Sequence, residues 1–259
     1  MSNLPHTIRE INALGDEKRR EIYRQLVPNW LTKDYQIGDI NNPTILSLIA
    51  PERSRAVELA LRRYDTERDP VLYINMADTF NHQILVLLVI VNDPNSERYS
   101  IDVDLQGNNT NFGTTSRNIP AEVAAKQAGL APGQIRRGLR AFKRSVPVFE
   151  DFIARMGHEL FLIEPLSYHN AIVFERYGFN YIRGLKDMHE IHAEFQPQRF
   201  LSGRLSEDSE FRSQNAANSI RGRSWAIHDG ILGHSFTGFQ MYKMIGKHAG
   251  ISTAPDVAW

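Results

Sequence analysis

The chain has 259 residues, 42% hydrophobic and 23% charged, a composition that supports a full core and excludes a disordered polyelectrolyte. Thirty basic residues balance thirty acidic ones, so bulk charge argues against a general polyanion-coating role and leaves only local patches to act. Cysteine is absent, which excludes disulfides, thiolate nucleophiles and cysteine-ligated metal centres.

The first residues, MSNLPHTIREIN, lack the charged-then-apolar order of a signal peptide. The longest apolar run, Ile84–Val91, falls far short of the roughly 20 residues a membrane helix needs. The expectation is a cytoplasmic protein with no membrane partner. In chain order, Gly15 and Asp16 precede EKRREIYRQLV, where Ile22, Leu26 and Val27 recur at helical spacing, so a helix ending near Pro28 is predicted. PERSRAVELALRRYD, with Pro51 at a plausible first position and Val57, Leu61 and Tyr64 on one stripe, predicts a second helix.

From Val71 the period changes to that of strands. VLYINMADTF, HQILVLLVIVND and RYSIDVDLQ predict three consecutive antiparallel strands rich in β-branched residues. ILVLLVIV is apolar throughout, which predicts a central strand covered on both faces. Residues 107–120, GNNTNFGTTSRNIP, predict a long loop. Helical pattern resumes in AEVAAKQAG and in QIRRGLRAFKRSVPVFEDFIARMG, where Pro147 is expected to kink or divide the segment. Then follow a strand, ELFLIEPL, a short helix, YHNAIVFERYG, closed by Gly178, and a strand, FNYIRG. Residues 186–259 differ in texture, with eight basic and eight acidic residues, five of the nine histidines and weak periodicity. The expected division is a core over 1–185 and a C-terminal extension over 186–259, packed on the core or on a second subunit as a homodimer contact.

The segment Asn170-Ala-Ile-Val-Phe-Glu-Arg-Tyr-Gly-Phe179, set between two strands, resembles the last motif of the GNAT acyl-CoA N-acyltransferases. The order of elements from about Thr7 to Leu185 is similar to that family as well, with an N-terminal strand and two helices, a meander, then strand, helix and strand. The resemblance implies an α+β fold, a mixed and largely antiparallel sheet flanked by helices. It also implies acetyl-CoA or another acyl-CoA as co-substrate and a small-molecule or peptide amine as acceptor.

The family's phosphate loop, Arg/Gln-x-x-Gly-x-Gly/Ala, is absent here, and its nearest substitute is Gly129-Leu-Ala-Pro-Gly-Gln-Ile-Arg-Arg-Gly138. The implied cofactor contacts are therefore Gly133, Gln134, Arg136, Arg137 and Gly138, with Asn170 and Phe174 from the motif. Residues 117–144 hold seven Lys or Arg and one Glu, a formal charge of plus six in a neutral chain, which suits an anionic partner. In related enzymes a tyrosine on the last short helix protonates the leaving thiolate. Phe174 occupies that position here, so Tyr168 or Tyr177 is the candidate acid. Asp102 and Asp104 alternate along IDVDL and would share one strand face as candidate bases.

Two further patterns compete. Ala125, Gly129 and Ile135 have helix-turn-helix spacing, with Glu122 to Gln127 as first helix and Gln134 to Arg140 as second, so a DNA-binding regulator using residues 121–144 is the alternative function. A non-catalytic member of the acyltransferase fold is another. His189 and His192 share a helix face, and with His228 and His234 they form a candidate site for a divalent metal.

Overall fold

A computed structural model describes residues 3–111, 115–139 and 142–259. Its contacts divide the chain into two interleaved units, Met1–Asn95 with Gly138–Glu164 and Tyr242–His248, and Ser96–Arg137 with Pro165–Met241 and Ala249–Trp259. The boundary expected at 185/186 falls inside the second unit.

In the first unit, Thr7 and Glu10 form a reciprocal capping box that starts α1 (Ile8–Asn12). Both oxygens of Asp78 add to it, accepting from the backbone N–H of Ile8 and Arg9 at 2.8 and 2.9 Å. An acidic first turn opens α2 (Asp16–Arg24), and its buried Tyr23 donates to Asn12 Oδ1 at 2.7 Å. Asn12 in turn donates to the carbonyls of Ser54 and Ala56, so one fully buried amide ties two helices to the chain where it enters the sheet. After α3 (Asn29–Asp34) come β1 (Leu46–Ile49), β2 (Ala56–Leu61), β3 (Leu72–Asp78) and β4 (Ile84–Val91), an antiparallel meander. The crossover helix α5 (Phe142–Arg155) leads to β5 (Leu160–Ile163), which pairs parallel to β4.

In the second unit, Asn118 caps α4 (Ile119–Gln127), whose Ala125 packs with Ile101, Leu130 and Ile135 in a small core. The motif segment forms α6 (Tyr168–Arg176), then β6 (Asn180–Arg183) and α7 (Leu185–Glu194). Gly178 takes φ +83° after α6, and the N–H groups of Gly178 and Phe179 return to the carbonyls of Glu175 and Phe174, a glycine-terminated helix as the sequence predicts. There follow α8 (Phe200–Gly203), a 3-10 turn (Gln214–Asn218) and α9 (Ile220–His228). Trp225 of α9 is buried, stacks on Phe211 at 5.2 Å and donates to the Leu130 carbonyl at 2.8 Å. The last strand, β7 (Gln240–Met244), is divided between the units after Met241. The strands form a seven-stranded mixed sheet in the order β1-β2-β3-β4-β5-β7-β6, flanked by helices, so the expected α+β class holds.

Several local expectations fail for identifiable reasons. The helix expected over 51–65 is a turn followed by β2, in which Val57, Leu59 and Leu61 are buried and alternate with half-buried neighbours. The spacing of Val57 and Leu61 fits both periods, and pairing with β1 and β3 decides. RYSIDVDLQ is not a strand; its only pairing among the described residues is an isolated bridge from Val103 to Asn109. β4 is central, as expected, but its second half is only half-buried and Leu87 is exposed. The chain starts with three helices rather than a strand. Pro147 lies within α5 at an exposed position and does not divide the helix. Residues 134–139 are not helical, residue 140 lies outside the described residues, and the second helix of the helix-turn-helix reading is not formed.

Candidate functional site

The sheet opens where β4 and β5 part. They pair only at Leu85↔Leu162 and Val86↔Ile163, because β5 ends at Ile163 just before Pro165, which cannot donate to a ladder. β4 runs on for five residues, all apolar, past the carboxyl end of its parallel neighbour. At the same point the register with β3 slips. Asn75 pairs with Leu88 and Met76 with Val86, which leaves Leu87 as the extra residue of a β-bulge. Leu87 is 37% exposed and the residues after it are half-buried, an apolar strand end with incomplete cover.

The chain rejoins this strand end at Gly138, which bridges antiparallel to Asn92, and four residues later α5 begins. The first turn of α5 contains Lys143 and Arg144 and no acidic residue. That sign is opposite to what the positive end of a helix dipole prefers, unless an anion sits there. Arg144 is engaged by Asp34 at 2.8 Å and covers the Trp30 ring at 4.2 Å, whereas Lys143 is exposed.

The sheet face opposite the buried Val57, Leu59, Ile74 and Met76 carries a polar group that no sequence motif signalled. The Tyr73 hydroxyl donates to Glu58 Oε2 at 2.7 Å, and burial, followed by that carboxylate, pushes the phenol up to about 12. Asn75 lies on the same face, paired in register with Glu58 on one side and Leu88 on the other. Its Oδ1 is buried and accepts no hydrogen bond among the described residues. The only sequence signal was alternation along VLYINM, which placed Tyr73 and Asn75 together; Glu58 was hidden in a segment read as helix.

The residues singled out from sequence are mostly structural. Asp104 accepts from the N–H groups of Gln106 and Asn108 and from the Asn108 side chain, and these bonds hold its carboxyl below the usual range, making it a poor base. Asp102 pairs with Arg98 at 2.7 Å. With no strand here, the two carboxylates are not a facing pair.

Tyr168 is fully buried, burial raises its phenol, and it meets the Phe236 ring edge-on, so it is core packing. Tyr177 is half-buried at the end of α6, Asn170 is half-buried on α6, and Phe174 packs against Phe179 at 5.1 Å. Gly133 adopts φ +81° in a turn where Gln134 Oε1 accepts the Ala131 N–H. Arg136 donates to the Ser96 carbonyl, and the Arg137 N–H donates to Ser96 Oγ at 3.2 Å. Residues 133–137 therefore brace the second unit, and among the expected cofactor contacts only Gly138 stands at the end of β4.

No family model matches this chain, and comparison with curated proteins and with solved structures found no match. Among the described residues no helix is long and apolar enough to cross a membrane, and no group of three or more His, Asp or Glu is placed to hold a metal. The four tail histidines diverge. His189 is exposed, and His192 lies between Arg223 and Asp256. His228 faces Glu122 at 3.5 Å, and exposed His234 meets the Ser235 carbonyl. Arg117 also belongs to the Glu122 cluster, bonding Glu122 and Asp229, so it is taken up in an ion-paired group.

Proposed function

We propose that the chain is an acyl-CoA-dependent N-acyltransferase, with the first unit as its acyl-donor site. The observation that carries the reading is the parting of β4 and β5 at the Leu87 bulge, with the acid-free first turn of α5 entering from the same strand end. Crevices at the carboxyl ends of parallel strands are where α/β sheets bind ligands. The N-terminus of α5, with Lys143, would hold the phosphates of an acyl-CoA, and the half-covered residues from Leu87 to Val91 would line the apolar arm. The thioester supplies an acyl group whose carbonyl backbone N–H groups can polarise.

In this reading Glu58, hydrogen-bonded by the Tyr73 hydroxyl, takes a proton from the incoming amine. The amine nitrogen bonds to the acyl carbon, the C–S bond breaks, the thiolate leaves with the electron pair, and the amine's proton passes to Glu58.

Titration calorimetry with acetyl-CoA and longer acyl-CoAs tests this directly. One site per chain is expected, weakened about tenfold by Lys143→Glu, since reversing one charge at a helix N-terminus is worth roughly 1–2 kcal/mol. Glu58→Gln should keep acetyl-CoA binding while lowering transfer to a panel of primary amines by about 100-fold. Absence of binding to every acyl-CoA at about millimolar concentration overturns the reading.

A further inference from the structure

The second unit contains a separate cavity of about 620 Å³, a size suited to a metabolite, lined by the segment that follows α7 and by residues of α8, the 3-10 turn, α9 and the C-terminal segment. At its wall is Arg223 of α9, only 3% exposed. Arginine keeps its charge at any physiological pH, and a buried cation is costly unless paired. Yet among the described residues the guanidinium bonds only neutral acceptors, Nε to the Ala217 carbonyl at 2.7 Å and Nη1 to His192 Nδ1 at 3.0 Å. It lies over the Phe195 ring at 5.1 Å and makes no salt bridge among the described residues. The one carboxylate of the lining, Asp256, is 64% exposed and meets His192 Nε2 at 3.4 Å, so it reaches the cation only through a neutral ring.

The remaining polar lining is uncharged, the Ser202 hydroxyl and four carboxamides. Gln196, Gln198, Gln214 and Asn218 contribute carboxamides, which both donate and accept as hydroxyl groups do. The buried side chains of Leu205 and Val257 add apolar surface for C–H faces. We infer that this cavity binds a small polyhydroxylated anion, a sugar acid or sugar phosphate, whose carboxylate or phosphate pairs with the buried guanidinium of Arg223. The inference stands on the second unit alone and does not rest on acyl transfer.

The test is calorimetric titration of the full chain with D-gluconate, D-glucose 6-phosphate and inorganic phosphate, with D-glucose as the uncharged control. One of the two sugar anions should bind one per chain, at least about tenfold tighter than inorganic phosphate, and glucose should not bind. Gluconate against glucose 6-phosphate tells carboxylate from phosphate. Arg223→Lys, which keeps the charge but loses the planar fork, and Ala217→Phe, which fills the cavity from its wall, should each weaken binding at least about tenfold. Urea midpoints of both variants identify loss through misfolding, and the cavity assignment is read from whichever variant retains the wild-type midpoint. Failure of all three anions to bind at about 10 mM, or binding that survives in both variants, overturns the inference.

Discussion

Acidifying the protein from about pH 7 to about pH 5 should cost the second unit about 2 kcal/mol through one side chain, His169. It lies on α6 at 4% exposure, its Nδ1 2.9 Å from Ser167 Oγ and 2.8 Å from Ser224 Oγ. Burial first, then the charges of Arg221 and His228, hold the imidazole down to about 3, against an ordinary value of 6.5. Between those values the unfolded chain binds a proton that the folded chain refuses. The stability carried by a neutral His169 is therefore present above about pH 6.5 and falls as the pH drops, by about 1.4 kcal/mol per unit. At about pH 5 the loss is about 2 kcal/mol, and it continues to grow until the folded-state pKa is reached.

Urea unfolding followed by tryptophan fluorescence reads this, since buried Trp225 reports on the same unit. With a slope of about 2 kcal/mol per molar urea, the midpoint should drop about 1 M over that pH range. His169→Gln removes the titration and should cut the drop by more than half. A residual slope is expected from His192 of the same unit, which burial also lowers. A His169→Gln variant that loses as much midpoint as the wild type would refute the reasoning.

Two other outcomes follow from the same packing. Glu175, 2% exposed, accepts from Tyr181 Oη at 2.6 Å, Thr253 N–H at 2.8 Å and Thr253 Oγ1 at 2.7 Å, tying the C-terminal segment to α6. Glu175→Ala strands three buried donors and should cost about 3–5 kcal/mol in urea unfolding, whereas Thr253→Ala loses one bond and should cost about 1–2 kcal/mol. Gly222→Ala should destabilise by about 2 kcal/mol although alanine is the better helix former, because its Cβ would lie 2.5 Å from the Ala216 carbonyl oxygen of the packed 3-10 turn; a midpoint raised above wild type would contradict that close approach.

Much of the architecture is local and was readable in the chain. The glycine-terminated α6, the alternating β3, the apolar β4 and the strand-helix-strand order around the Asn170 to Phe179 motif depend on side-chain period and on Gly178, which act over a few residues. Tertiary structure decided the rest. β2 reads as helix until β1 and β3 pair with it, and Glu58 becomes a partner of Tyr73 only through that register. Asp102 and Asp104 alternate as a strand would, but no neighbour supplies a ladder, so Arg98 and local N–H groups take them. The Leu87 bulge, the short β4–β5 pairing and the seating of Arg223 against His192 are likewise products of contacts distant in sequence. A strand's hydrogen bonds lie outside itself, so its register and its exposed end belong to the fold, while a helix carries its bonds and its stop signals within its own sequence.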